Sequence, residues 1–316
     1  MYFPYLRGKQ FELIALREIF NFLGVDNRIS PIIEPVKETT VTLEKTLTIL
    51  IQKNQNFNFI LNPSVGDLCS PMRKDEVNNM LTTLLSGYEN FQPTFIIDER
   101  THLPDIITTI RSHDLHDLTI ICNNIPQNEA EFFEFVPTSA IRYIIINEGI
   151  TSRGFVRQLN RLGLNKVALT DSFKILKRNV DYVDKDDEFF SDEHVYYHEE
   201  GFAGFSDYLT IGQEYSDTGF LPFAVAIHLT YQKDNAFWIR HFVSDSNEDK
   251  TDVAGKFSEA LAKLIAFIDR NKINTYACKE FRRLHETETY PGLGSVKKLS
   301  ILHHIELVNN YLINAR

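Results

Sequence analysis

The chain has 316 residues, of which 43% are hydrophobic and 24% charged, with a formal net charge of −10. That composition suits a globular protein with a large core, and the acidic balance argues against broad nucleic-acid binding, which needs a basic surface. Three widely spaced cysteines (Cys69, Cys122, Cys278) give neither a disulfide framework nor a CxxC metal site. No apolar run reaches the length of a membrane span, and the opening MYFPYLRGKQ lacks the apolar core of a signal peptide. The expectation is a reducing cytoplasm without membrane attachment.

Strand and helix patterns alternate from the first residues. Tyr2–Arg7 reads as a strand, and FELIALREIFNFLG repeats apolar residues at helical spacing up to Gly24. Ile29–Val36 reads as strand two, weakened by Pro31 and Pro35, and LEKTLTILIQKN as its helix. Phe57–Leu61 is strand three, with a helix running to Leu85. TFIIDER (Thr94–Arg100) is strand four: a β-branched run that stops at Asp98, as a strand buried on both faces does. LPDIITTIRSHD is its helix. Leu118–Cys122, Arg142–Ile146 and Lys166–Thr170 continue the series, separated by NEAEFFEFV and SRGFVRQLNRLG as helices.

The rhythm then breaks at 173–203, an acidic and aromatic segment that includes DYVDKDDEFFSDEHVYYHEE and reads as a solvated loop. Asp207–Ile211 is the candidate for strand eight. Leu221–Tyr231 and Phe237–Val243, joined by QKDNA, read as a hairpin spanning 220–244. Val253–Arg270 and Ser295–Ile313 read as helices. Eight interleaved strands point to an α/β fold of (β/α)8 TIM-barrel type in a single domain, 1–316. The acidic loop and the hairpin would be insertions at the C-terminal rim, with a helix at the end of the chain. An open doubly wound sheet is the alternative, but no Gly-rich dinucleotide fingerprint follows an early strand.

The opening YFPYLRGKQFELIALREI followed by SPIIEP resembles the N-terminal signature of the phage beta-protein family and its bacterial relatives. Gly8, Lys9, Glu12, Pro31 and Glu34 carry the likeness over the first forty residues. The resemblance implies a barrel-like cytoplasmic protein of phages and of mobile or antiviral-defence loci. It implies no reaction.

Barrel ligands sit at the C-terminal ends of the strands, so strand-terminal polar residues are the place to look. These are Lys9, Glu34, Asn62, Asp98, Asn123, Asn147, Asp171 and Asp207. Such a rim can hold a divalent cation such as Mg²⁺ or a small polar ligand, with Glu34 or Asp98 as general base and Lys9 as an electrophile or ion-pair partner. If chemistry occurs there, hydrolysis, with or without a metal, is the first expectation. Each position also has a structural explanation, because Asp and Asn begin turns and cap helices. His194 and His198 have helical ligand spacing but lie in the acidic run, and YPGLGSVKK (Tyr290–Lys298) has the layout of an anion-binding helix start without P-loop order. The competing expectation is a non-enzymatic interaction protein: an immunity factor, antitoxin or defence-complex subunit. Its hairpin aromatics would meet a protein partner from the same locus or a second copy.

Overall fold

The computed structural model of the chain describes residues 1–24, 28–70, 73–150, 152–185, 187–217 and 222–314. In chain order the elements begin β1 Tyr2–Leu6, α1 Gln10–Leu23, β2 Ile32–Ile33, α2 Val41–Gln52, β3 Phe57–Ile60, α3 Lys74–Thr83 and β4 Phe91–Ile97. They continue with α4 Leu103–Ser112, β5 Leu118–Cys122, α5 Glu129–Thr138, β6 Ile141–Asn147, α6 Arg153–Arg161 and β7 Asn165–Thr170. The remainder comprises β8 Asp187–Ser191, α7 Glu193–Tyr196, β9 Gly204–Asp207, β10 Ala226–Lys233, β11 Ala236–Val243, α8 Val253–Arg270, α9 Tyr276–Glu286 and α10 Leu293–Asn314. These elements form two compact units.

The first unit (Met1–Lys9, Val25–Thr170 and Tyr196–Asp207) holds a closed barrel of parallel strands in the order β1-β2-β3-β4-β5-β6-β7-β9. The TIM-barrel expectation is therefore met. Its strands are the β-branched and aromatic runs, and their central residues are buried on both faces, as a sheet covered by helices requires. Two strands differ from expectation for local reasons. β2 shrinks to two residues because Pro31 and Pro35 flank it and cannot donate to a ladder. The last barrel strand is Gly204–Asp207 rather than Asp207–Ile211. A Cβ at Gly204 would stand 2.6 Å from the Met1 carbonyl oxygen, so a glycine lets this strand close on β1.

Contacts that skip strands identify the inward face. Phe3 of β1 meets Tyr143 of β6 edge to face at 5.1 Å, and Thr119 of β5 donates to Asn58 of β3 at 2.7 Å. Side chains alternate along a strand, so Phe3, Tyr5 and Arg7 form one inward series. Tyr2 and Pro4, with their register partners Phe205 and Asp207, face outward.

The second unit (Gln10–Gly24, Asp171–Val195 and Tyr208–Arg316) contains a three-stranded antiparallel sheet in the order β10-β11-β8, with α8, α9, α10 and α1. The hairpin forms as expected, turning at Asp234 with φ 55°, although its first residues, 220 and 221, lie outside the described residues. The acidic segment expected as a loop supplies β8 instead. Its charges are neutralised in place: Arg240 pairs with Asp187, and Lys174 and Lys185 with Glu188. With those charges paired, Phe189 and Phe190 continue an ordinary strand. α10 packs against β10 and α1 through Leu299, Leu302, Ile305 and neighbouring apolar residues. At Gly294 a Cβ would lie 2.0 Å from the Phe11 ring, so the glycine sets how closely α10 approaches α1.

Candidate functional site

At the C-terminal end of β1–β3 a polar cluster interrupts the apolar barrel. Glu34 is 1% exposed. Its Oε1 accepts the Ser64 backbone N–H at 2.7 Å and the Ser64 hydroxyl at 2.9 Å. Its Oε2 accepts the Tyr5 hydroxyl at 2.9 Å and faces Arg7 Nε at 3.7 Å. The Arg7 guanidinium also lies over the Tyr5 ring, 5.9 Å from its centroid, and the residue is 7% exposed.

Local sequence builds this arrangement. Tyr5 and Arg7 are two apart on an extended strand and so reach the same oxygen. Pro35 follows Glu34 and ends β2 there, delivering the carboxylate at the strand terminus. Ser64 comes from the loop after β3, which Gly66 anchors. Gly66 has φ 80°, and a Cβ there would stand 2.3 Å from the Val36 carbonyl oxygen. Asp67 N–H then donates to that same Val36 oxygen at 2.7 Å.

Asn62, Asp98, Asn123 and Asn147 end the next inward series. Asn62 bonds both backbone groups of Ile96, donating to its carbonyl and accepting from its N–H, each at 2.8 Å, and so ties β3 to β4. Asp98 closes its own turn, accepting from Arg100 N–H at 2.8 Å and the Thr101 hydroxyl at 3.0 Å. Asn147 accepts Gly149 N–H at 2.9 Å. Asn123 is different: its Oδ1 is shielded from solvent and has no hydrogen-bond partner. A shielded acceptor left unpaired is costly and rare.

Lys9 is half-buried just past β1. Asp207 is on the outward face of β9, buried, and accepts the Tyr2 hydroxyl at 2.8 Å. Burial first, and then Asp207, holds the Tyr2 phenol well above its ordinary pKa. Asp171 belongs to the second unit, where its Oδ1 accepts Gln213 N–H at 3.0 Å. Among the described residues no group of three or more His, Cys, Asp or Glu side chains is placed to hold a metal ion. No helix among them is long and apolar enough to cross a membrane. The hairpin aromatics proposed as partner anchors are largely interior to the second unit: Phe237, Ile239 and Phe242 are buried, and Trp238 is half-buried beside exposed Phe189.

Reading strand ends missed Tyr5, Arg7 and Ser64 in the first unit. Arg7 carried a signal, because YLR places a cation one step past the apolar run, two residues from Tyr5. It also missed His228 and His241 in the second unit, which stand directly opposite each other in the hairpin register. His194, singled out for its spacing to His198, is buried against Phe237 with ring centroids 3.7 Å apart, and neither of its ring nitrogens has a partner. Burial lowers its pKa to about 4. His198 rests on the Tyr197 ring.

No protein-family model matches the chain, and no curated protein matches it. Among solved structures the chain is similar to the open form of tryptophan synthase from M. tuberculosis, at 6% identity and a TM-score of 0.38, over 65% of this chain and 81% of that one. At that level the likeness carries no argument about function.

Proposed function

We propose that the barrel binds a small polar ligand with an anionic group at its C-terminal mouth. Arg7 receives the anion and Asn123 Oδ1 receives an N–H or O–H of the same ligand. The observation that carries this reading is the buried Arg7–Glu34 pair at the ligand-binding end of the barrel. Buried ion pairs seldom add net stability over apolar residues of equal volume, so their presence calls for another reason. Location supplies that reason, since this end is where barrels of this type bind their ligands.

In this reading Glu34 positions other groups and does not take a proton from the ligand. Its two oxygens already accept three hydrogen bonds, one from Tyr5 and two from Ser64, and face the Arg7 guanidinium at 3.7 Å. The pair holds a guanidinium fork in place, and a guanidinium has five N–H donors for planar recognition of carboxylate or phosphate. The lack of a metal-ligand cluster among the described residues favours the small-ligand form over the divalent-cation form. The N-terminal resemblance to the phage beta-protein family is the ground for proposing a phage-conflict setting.

Calorimetric titration with inorganic phosphate, nucleoside monophosphates, α-amino acids and dicarboxylates tests the reading. At least one compound is expected to bind, and Asn123→Ala is expected to weaken it about 10- to 150-fold, the worth of one hydrogen bond in a charged site. Because Asn123 Oδ1 has no partner to lose, the variant should keep the melting temperature of the parent. Binding indifferent to both Asn123→Ala and Arg7→Lys, or no binding by any compound, would overturn the proposal.

A further inference from the structure

The second unit contains a chain of polar groups that the barrel mouth does not use. Glu188 of β8 accepts from His241 of β11, Oε2 to Nε2 at 3.2 Å. His241 Nδ1 lies 2.7 Å from Nδ1 of His228 on β10. A carboxylate accepts only, so His241 carries its proton on Nε2 and presents Nδ1 as an acceptor. His228 must then donate from Nδ1, which leaves its Nε2 as a bare lone pair. That nitrogen has no partner among the described residues, and the His228 side chain is half-buried.

The surroundings hold this tautomer. Lys174 and Lys185 lie 3.6 and 3.8 Å from the other oxygen of Glu188 and hold the carboxylate in place. Tyr182 packs against both imidazoles, at 4.7 Å from His228 and 4.6 Å from His241, and Phe173 meets His228 at 5.0 Å. The Tyr182 hydroxyl is occupied by Lys174 and Leu176 backbone groups and does not compete. Burial, the neighbouring His241 and the charge of Lys297 keep His228 neutral, with a pKa well below the ordinary imidazole range.

Lys297 lies in the glycine-rich YPGLGSVKK segment, Tyr290–Lys298. Lys298 is engaged by Glu18 at 2.7 Å, whereas Lys297 is exposed and has no partner among the described residues. A free cation whose field reaches an oriented, unprotonated imidazole is a combination suited to acid–base chemistry on an anion.

We propose that Glu188, His241 and His228 form a proton relay whose His228 Nε2 is a general base for a hydroxyl on an anionic substrate. The proton passes from the substrate hydroxyl to Nε2, and the bonding pair stays on the substrate oxygen, whose charge Lys297 offsets. The His228 imidazolium is stabilised through Nδ1–H by His241 and, beyond it, by Glu188. His228 is the catalytic group; His241 and Glu188 are positioning residues.

Diethyl pyrocarbonate, which acylates an unprotonated imidazole nitrogen and releases monoethyl carbonate, reads this site in the intact protein. Peptide mapping is expected to show His228 modified faster than the exposed His102 and His116. Glu188→Gln should slow it on the order of tenfold by releasing the tautomer, and inorganic phosphate should protect it in the parent protein but not in Lys297→Ala. Equal rates at His228, His102 and His116, or a rate unchanged by Glu188→Gln, would overturn the relay; absence of phosphate protection would overturn the anionic substrate class. Should Glu188→Gln fail to fold, the imidazole ¹⁵N shifts of the parent decide. Protonated Nδ1 with bare Nε2 on His228 supports the relay, and the opposite tautomer refutes it.

Discussion

Replacing Glu34 by glutamine keeps the side-chain volume but removes the charge that faces Arg7 at 3.7 Å in a site where Glu34 is 1% exposed. One amide oxygen can still accept from Ser64, whose backbone N–H cannot turn away. The new NH₂ must then face the Tyr5 hydroxyl and the Arg7 guanidinium. The hydroxyl can rotate to accept, but the guanidinium cannot and loses the Glu34 charge it faces. Breaking a buried pair from one side costs about 3–5 kcal/mol, and retention of the Ser64 bond places the expected loss near the lower end, ~3 kcal/mol. Tyr5→Phe is the calibrating variant: it removes one hydrogen bond to a charged acceptor, worth about 1.5–3 kcal/mol, without disturbing the pair. Urea unfolding followed by far-ultraviolet circular dichroism measures both, with hydrogen exchange at β2 and β3 as the local readout. A loss below ~1 kcal/mol for Glu34→Gln, the median range for exposed pairs, would refute the claim that this pair is a buried anchor of the mouth.

Asp98→Ala should cost about 1 kcal/mol, because the carboxylate serves only its own turn through Arg100 and Thr101, and calorimetry should find ligand affinity unchanged; a lost affinity would restore Asp98 to the site. Gly66→Ala should be more damaging, about 1–3 kcal/mol by denaturant titration, since φ is 80° and a Cβ would meet the Val36 carbonyl at 2.3 Å. Stability should also depend on acid through His194, whose folded pKa of about 4 lies below the ordinary 6.5. The unfolded chain then binds more protons between those values, so stability is complete above pH ~6.5 and falls as pH drops toward ~4, by roughly 3 kcal/mol in all. His194→Phe should flatten that slope in urea titrations at several pH values; His228 and His241, also lowered, leave a remainder of the same sign.

The barrel was legible because its strands are short β-branched runs that end in polar residues, as in TFIIDER and LTIIC. The location of a site at the strand ends followed from the fold, and Glu34 stood out because two prolines isolate it within an apolar run. Arg7, Tyr5 and Ser64 did not stand out, since their meeting depends on the register between β1 and β2 and on a glycine-anchored loop thirty residues away from Glu34. The second unit was harder to read for a different reason. Asp187 and Glu188 look like part of a solvated acidic run until their partners Arg240, Lys174 and Lys185 arrive from other segments. The pairing of His228 with His241 was within reach, because counting outward from the hairpin turn places them opposite each other.

The central claim is that the mouth of the barrel recognises an anionic ligand through Arg7 and Asn123. Its most direct test is a crystal structure of the protein with the tightest-binding compound of the titration series. The account predicts ligand density at the C-terminal mouth, with an anionic group ~3 Å from the Arg7 guanidinium and a donor at similar distance from Asn123 Oδ1. A ligand bound elsewhere, with none of its groups near the Arg7 guanidinium or Asn123 Oδ1, would contradict it.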